Sequence, residues 1–118
     1  MSNSIALDKA IKFALRIIGL YKYLTETKEE FVLSKQVLLS GTHIAKHVKS
    51  ALHSRVPNGF SIEMHKALEK ALDTELWLLL LHEGEFISEG QYNSLNEDCI
   101  EMIKLTSSIS KTSSEDGQ

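Results

Sequence analysis

The chain has 118 residues, 42% of them hydrophobic and 25% charged, with a formal net charge of −3, one proline and one cysteine. A chain of that size fits one domain with its own core, and the lone Cys99 excludes an internal disulfide. The longest apolar run, Leu76 to Leu81, excludes a membrane-spanning helix, which needs roughly 20 apolar residues.

The first predicted helix covers about residues 4–24. Ala6, Ala10, Phe13, Ile17, Leu20 and Leu24 recur at alternating spacings of four and three, one face of a helix. Ile11, Leu15 and Ile18 make a second stripe. Ser4 has N-cap chemistry, and Asp8 sits where a carboxylate suits the helix dipole. Gly19 costs about 1 kcal/mol relative to alanine inside a helix, so a close helix contact is expected there. A break at Thr25-Glu26-Thr27 is short enough to turn the chain back antiparallel. Thr27 and Glu30 have capping-box spacing.

The second predicted helix covers about 28–54. Phe31, Ser34, Leu38, Gly41, Ala45, Val48 and Leu52 keep the same spacing, and the small residues in that seam permit close backbone approach. Pro57-Asn58-Gly59 supplies turn chemistry. The third helix covers about 61–82, with Met64, Ala67, Ala71, Thr74, Leu78 and Leu81 as its stripe. Its run Leu76-Trp77-Leu78-Leu79-Leu80-Leu81 is apolar all round. One face of such a helix should meet water in a monomeric bundle, so a further partner is expected, most simply another copy. Ser88 and Gln91 have capping-box spacing before a fourth helix over about 89–109, built on Tyr92, Leu95, Cys99, Met102, Thr106 and Ile109. Residues 110–118 are polar and read as a frayed or disordered tail. The sum is an all-α, antiparallel up-down four-helix bundle. Its expected oligomer interface is Ile11, Leu15, Ile18, Leu76, Trp77 and Leu80.

Chemistry is thinly represented. His43 and His47 lie four apart and share a helix face, as two metal ligands can. They lack the glutamate of a zinc-protease helix and any third ligand fixed by spacing. No glutamate precedes a histidine by three, as di-iron bundles require. Cys99 lies on an apolar stripe, where a thiol behaves as a small hydrophobe. No phosphate loop, dinucleotide turn or nucleophile–base order is present. These readings give no catalytic residue, no cofactor and no small-molecule substrate.

Charge is distributed unevenly. Residues 1–55 carry nine Lys and Arg against four Asp and Glu, a net of +5, and residues 56–118 carry four against twelve, a net of −8. Lys9, Lys12 and Arg16 follow one edge of the first helix, and Lys35, Lys46, Lys49 and Arg55 add charge on the second. A basic stripe of this kind can track phosphates without reading bases, although solvated lysines have the same spacing. With one cysteine, no signal-peptide pattern and no membrane span, the expected location is the cytoplasm.

The stretch Ser34-Lys35-Gln36-Val37-Leu38-Leu39-Ser40-Gly41-Thr42-His43-Ile44 carries a family resemblance. So do Ala67-Leu68, Leu72-Asp73-Thr74-Glu75-Leu76-Trp77-Leu78 and Leu95-Asn96-Glu97-Asp98-Cys99. Together they resemble the bacterial four-helix bundle family also called the 23S rRNA intervening-sequence protein family, over roughly residues 5–109. The resemblance implies antiparallel bundles that assemble as homopentamers, with no established enzymatic activity. A related branch, the accessory variability determinants of diversity-generating retroelements, binds nucleic acid and a reverse transcriptase. The resemblance therefore implies partners of three kinds: another copy of the chain, RNA and a reverse transcriptase. The chain departs from the family at Leu39 and Glu75, where arginines are typical, and at His47 and Ser50, where Asn and Glu are typical. Two lost guanidiniums remove bidentate phosphate donors. The expected function is a non-enzymatic homo-oligomeric accessory protein, RNA-associated through a basic face on the first two helices. The alternatives are a purely structural or protein-pairing module and, more distantly, a metal-dependent enzyme.

Overall fold

A computed structural model describes the backbone of residues 2–116 and the side chains of residues 5–109. It contains four helices: α1 (Ser2–Glu26), α2 (Leu33–His53), α3 (Gly59–Glu83) and α4 (Glu89–Asp116). Each packs against the next in the chain, and α4 closes back on α1 through a sparser contact. Among the described residues the backbones of α1 and α3, and those of α2 and α4, do not come close, so these pairs lie on the diagonals. The result is an all-α four-helix bundle measuring 47 × 21 × 20 Å.

The inward stripes meet along the axis. Phe13, Ile17, Leu24, Val37, Ile44, Val48, Met64, Leu78, Leu81 and Met102 are almost wholly removed from solvent. Three of the polar side chains in this core, Ser40, Thr74 and Thr106, are satisfied locally, whereas the buried Ser34 hydroxyl has no partner among the described residues. The Thr74 and Ser40 hydroxyls are 2.8 Å apart across α2 and α3, and Thr74 Oγ1 also donates to the Lys70 carbonyl. Thr106 Oγ1 donates to the Met102 carbonyl. A Cβ on Gly41 would lie 2.8 Å from both γ carbons of Ile17, so the bare glycine sets how closely α1 and α2 approach. Gly19 differs from expectation. Nothing lies within 4 Å of where its Cβ would be, because the helix turns that position outward.

The start of α2 also differs. It begins at Leu33, not Lys28, because residues 27–32 form a turn with Glu29 in the left-handed region at φ 53°. The expected capping box of Thr27 with Glu30 is replaced by a stronger arrangement. The Glu30 carboxylate accepts from the backbone N–H groups of Val32, Leu33 and Ser34 at 3.1, 2.9 and 2.6 Å. These are the donors that a helix start leaves without partners. The Ser88–Gln91 capping box forms as expected, with the Ser88 N–H donating to Gln91 Oε1 and the Gln91 N–H donating to Ser88 Oγ. At the far end α4 continues past Ile109 to Asp116 where a frayed tail was expected. No proline or glycine lies between Ile109 and Gly117 to stop it. Ser4, the expected N-cap, has its side chain outside the described residues, and α1 is already helical at Ser2.

Candidate functional site

Among the described residues no enclosed site gathers catalytic or metal-ligating groups, so the candidate surfaces are those on the outside of the bundle. The α1–α4 seam is an open groove lined by Ile5, Phe13 and Met102 with a charged rim. Two of the three cations predicted on this edge are engaged by α4. Lys9 Nζ lies 3.0 Å from Glu101 Oε2. Arg16 donates to Asp98 Oδ2 at 2.7 Å and to the Ser94 carbonyl and hydroxyl. Lys12 lines the same groove without an ion pair among the described residues. Sequence reasoning missed the partners Asp98 and Glu101. Nothing in local spacing signals them, because the pairing depends on the register of two helices at opposite ends of the chain.

The outward side of α2 is different. The helix has no Asp or Glu. Lys35, Lys46 and Lys49 are exposed along one ridge with Thr42 between them, and the exposed Arg55 lies just beyond the end of the helix. None of these four is in an ion pair among the described residues. A helix of 21 residues makes this ridge about 30 Å long.

On the α2–α3 side, His47 Nδ1 lies 3.0 Å from Glu63 Oε1. The other Glu63 oxygen accepts from Lys66 at 3.1 Å. These two hydrogen bonds hold the Glu63 carboxyl below the usual carboxylate range. His43 stands edge-on to His47 with ring centres 6.3 Å apart and has no hydrogen-bond partner among the described residues. Burial pushes its pKa down, and the neighbouring positive groups Lys46, Lys70 and His47 push it further. No group of three or more His, Cys, Asp and Glu is placed to hold a metal ion among the described residues. Cys99 is sealed in the core with Sγ 3.4 Å from the Ala71 carbonyl, and burial pushes its thiol up to about 12. It has no nucleophile character at neutral pH.

Apolar side chains also reach the surface in two groups. Ile11, Leu15 and Ile18 lie on α1 about half a helical turn from the core stripe, and Leu15 is 61% exposed. Leu72, Leu76, Leu79 and Leu80 lie on the outward side of α3, with Leu76 51% exposed. Trp77 is half-buried against the core edge. Because α1 and α3 are diagonal, the two groups face opposite sides of the bundle.

The 23S rRNA-intervening sequence protein family matches residues 2–108. The chain belongs to this family. It is also similar to a solved structure from Bacteroides thetaiotaomicron, described as a protein with unknown function from the S23 ribosomal protein family. The two are 41% identical, the match covers 94% of this chain and 99% of that one, and the TM-score is 0.91. No curated protein matches the chain.

The residues that carry the family resemblance have structural work in this chain. Ser40 and Thr74 form the buried hydroxyl pair, and Gly41 seats Ile17. The departures lie on or near the surface. Leu39 is exposed, His47 pairs with Glu63, and Glu75 lies close enough to Cys99 to raise its thiol further. No described helix is long and apolar enough to cross a membrane.

Proposed function

We propose that this family member is a non-enzymatic, homo-oligomeric accessory protein of the cytoplasm that associates with RNA through the basic outward ridge of α2. The observation that supports assembly is the pair of exposed apolar stripes on opposite sides of the bundle. A patch on one side and a different patch on the other suit a head-to-tail contact, which closes into a ring if the rotation permits. The family resemblance makes five the expected number of copies. The RNA part is supported by a helix without carboxylates whose lysines are in no ion pair among the described residues, while Lys9 and Arg16 on α1 have their partners.

The two parts are tested separately. Light scattering on the wild type is expected to give a multiple of the 13.3 kDa chain mass. Leu15→Glu and Leu76→Glu, each at an exposed site, are expected to give a helical monomer. A wild-type monomer at micromolar concentration removes the assembly part. For RNA, anisotropy of a labelled fragment across a salt series is expected to show affinity falling steeply with salt. Absent or salt-insensitive binding removes the RNA part.

One observation favours a second reading. The exposed side of α4 carries Glu89 and Glu97, diagonally opposite the basic ridge of α2. Copies that pair these charges with one another make a purely protein-pairing module. In that case the oligomer dissociates at high salt and RNA does not compete with assembly.

A further inference from the structure

The two histidines on α2 are placed differently. His47 is tied to Glu63, which also holds Lys66, so that carboxylate is already shared between two positive partners. His43 is half-buried on the same α2–α3 face with no carboxylate in contact among the described residues. The register fixed by Ser40 with Thr74, and by His47 with Glu63, sets His43 across from Lys70. Lys46 stands one turn along α2, where residues three apart are neighbours. Lys46 and His47 from α2 and Lys70 from α3 lie near enough to act on His43, with Glu63 and Lys66 beyond His47. Asp73 lies 3.9 Å from Lys70, a loose pairing on the exposed side.

We propose that His43, Lys46 and Lys70 form an oxyanion site on the α2–α3 face that takes a phosphate group. The lysines act as point charges for the phosphate, and the imidazolium adds an N–H donor. The reasoning is reciprocal. Positive groups that repel a proton from an imidazole attract an anion, and an anion seated among them returns the proton to the ring by the same free energy. Burial is the larger cause of the lowered His43 pKa, and Lys46, Lys70 and His47 add the part that a seated anion would reverse. Binding therefore tightens as pH falls through the imidazole range. The inference rests on the RNA reading only for the source of the phosphate, a backbone phosphodiester. A free phosphate ester offers the same chemistry.

The experiment has two arms on the full chain. In the first, the histidine ring resonances are titrated with and without inorganic phosphate at constant ionic strength. His43 is expected to rise by about one pKa unit with phosphate, while the exposed His53 and His65 move much less. Lys70→Gln is expected to remove most of the His43 shift. No shift at His43, or an equal shift at His53 and His65, overturns the site. In the second arm, RNA binding is compared at about pH 5.5 and about pH 7.5 in wild type and His43→Gln. Tightening of several-fold at the lower pH in wild type, lost in the variant, identifies RNA as the source. Phosphate binding at His43 without RNA binding keeps the site, assigns it to a small phosphorylated ligand and removes the RNA reading above. RNA binding whose pH dependence is unchanged in His43→Gln, with no phosphate shift, keeps that reading and removes the site.

Discussion

Two glycines that look alike in the sequence have opposite consequences in the fold. A methyl group at Gly41 lies 2.8 Å from Ile17, whose branched side chain is fixed in the core. Overpacking of that kind costs about 1–3 kcal/mol, against about 1 kcal/mol gained from helix propensity. Gly41→Ala is therefore expected to lower Tm by several degrees. Gly19 has open space around it, so Gly19→Ala is expected to gain about 0.5–1 kcal/mol. Thermal unfolding of both variants checks the pair, and a stabilised Gly41→Ala would contradict the packing account. Periodicity places both glycines on a helix but does not say which one meets a neighbour. Glu30 makes a similar point. Burial works against its charge, yet hydrogen bonds from Leu33, Ser34 and Val32 outweigh that and hold its carboxyl below the ordinary value of 4.5. A depressed carboxyl stabilises the fold above its unfolded-state pKa, and the contribution is lost as pH falls through the folded value. Glu30→Gln is expected to lose about 1 kcal/mol at neutral pH, as loss of a helix cap does. Its stability should also change less steeply below about pH 4.5 than wild type. An unchanged acid-unfolding profile in the variant would show that Glu30 is not the cap that matters.

The existence, order and inward faces of the four helices were legible in the residues, because apolar spacing at three and four records which side of a helix is buried. The start of α2 was not legible. Phe31 fits the same spacing as Ser34 and Leu38, so pattern alone runs the helix through the turn. A side-chain cap four residues before Ser34 decided the matter instead. The ion pairs between α1 and α4 were equally hidden, since they link residues 82 and 92 positions apart. Their effect on stability is modest. Both partners of Arg16–Asp98 are about two-fifths exposed. Arg16→Ala is thus expected to cost less than about 1 kcal/mol, and less still at high salt. In an RNA titration the same variant is expected to leave the salt slope unchanged, whereas Lys49→Gln lowers it by about one unit. Equal slopes for all three proteins would remove α2 as the phosphate track.

At the scale of the whole molecule, the apolar run Leu76 to Leu81 signalled a helix with more than one apolar side, and the fold leaves Leu76, Leu79 and Leu80 at the surface. What the sequence could not place was the opposition of the α1 and α3 faces. That opposition arises from the diagonal arrangement, and no window along the chain contains it. The sealed thiol has a use at the same scale. Cys99 sits between α4 and α3 with no exposed surface. A thiol reagent can reach it only when those helices part. The rate of labelling in native buffer is expected to be slow and independent of reagent concentration once the reagent is in excess. Fast labelling proportional to reagent would mean the thiol is open to solvent. The lone cysteine thus serves as a clock for the breathing of the bundle, one that reads the lifetime of the closed state without any added probe.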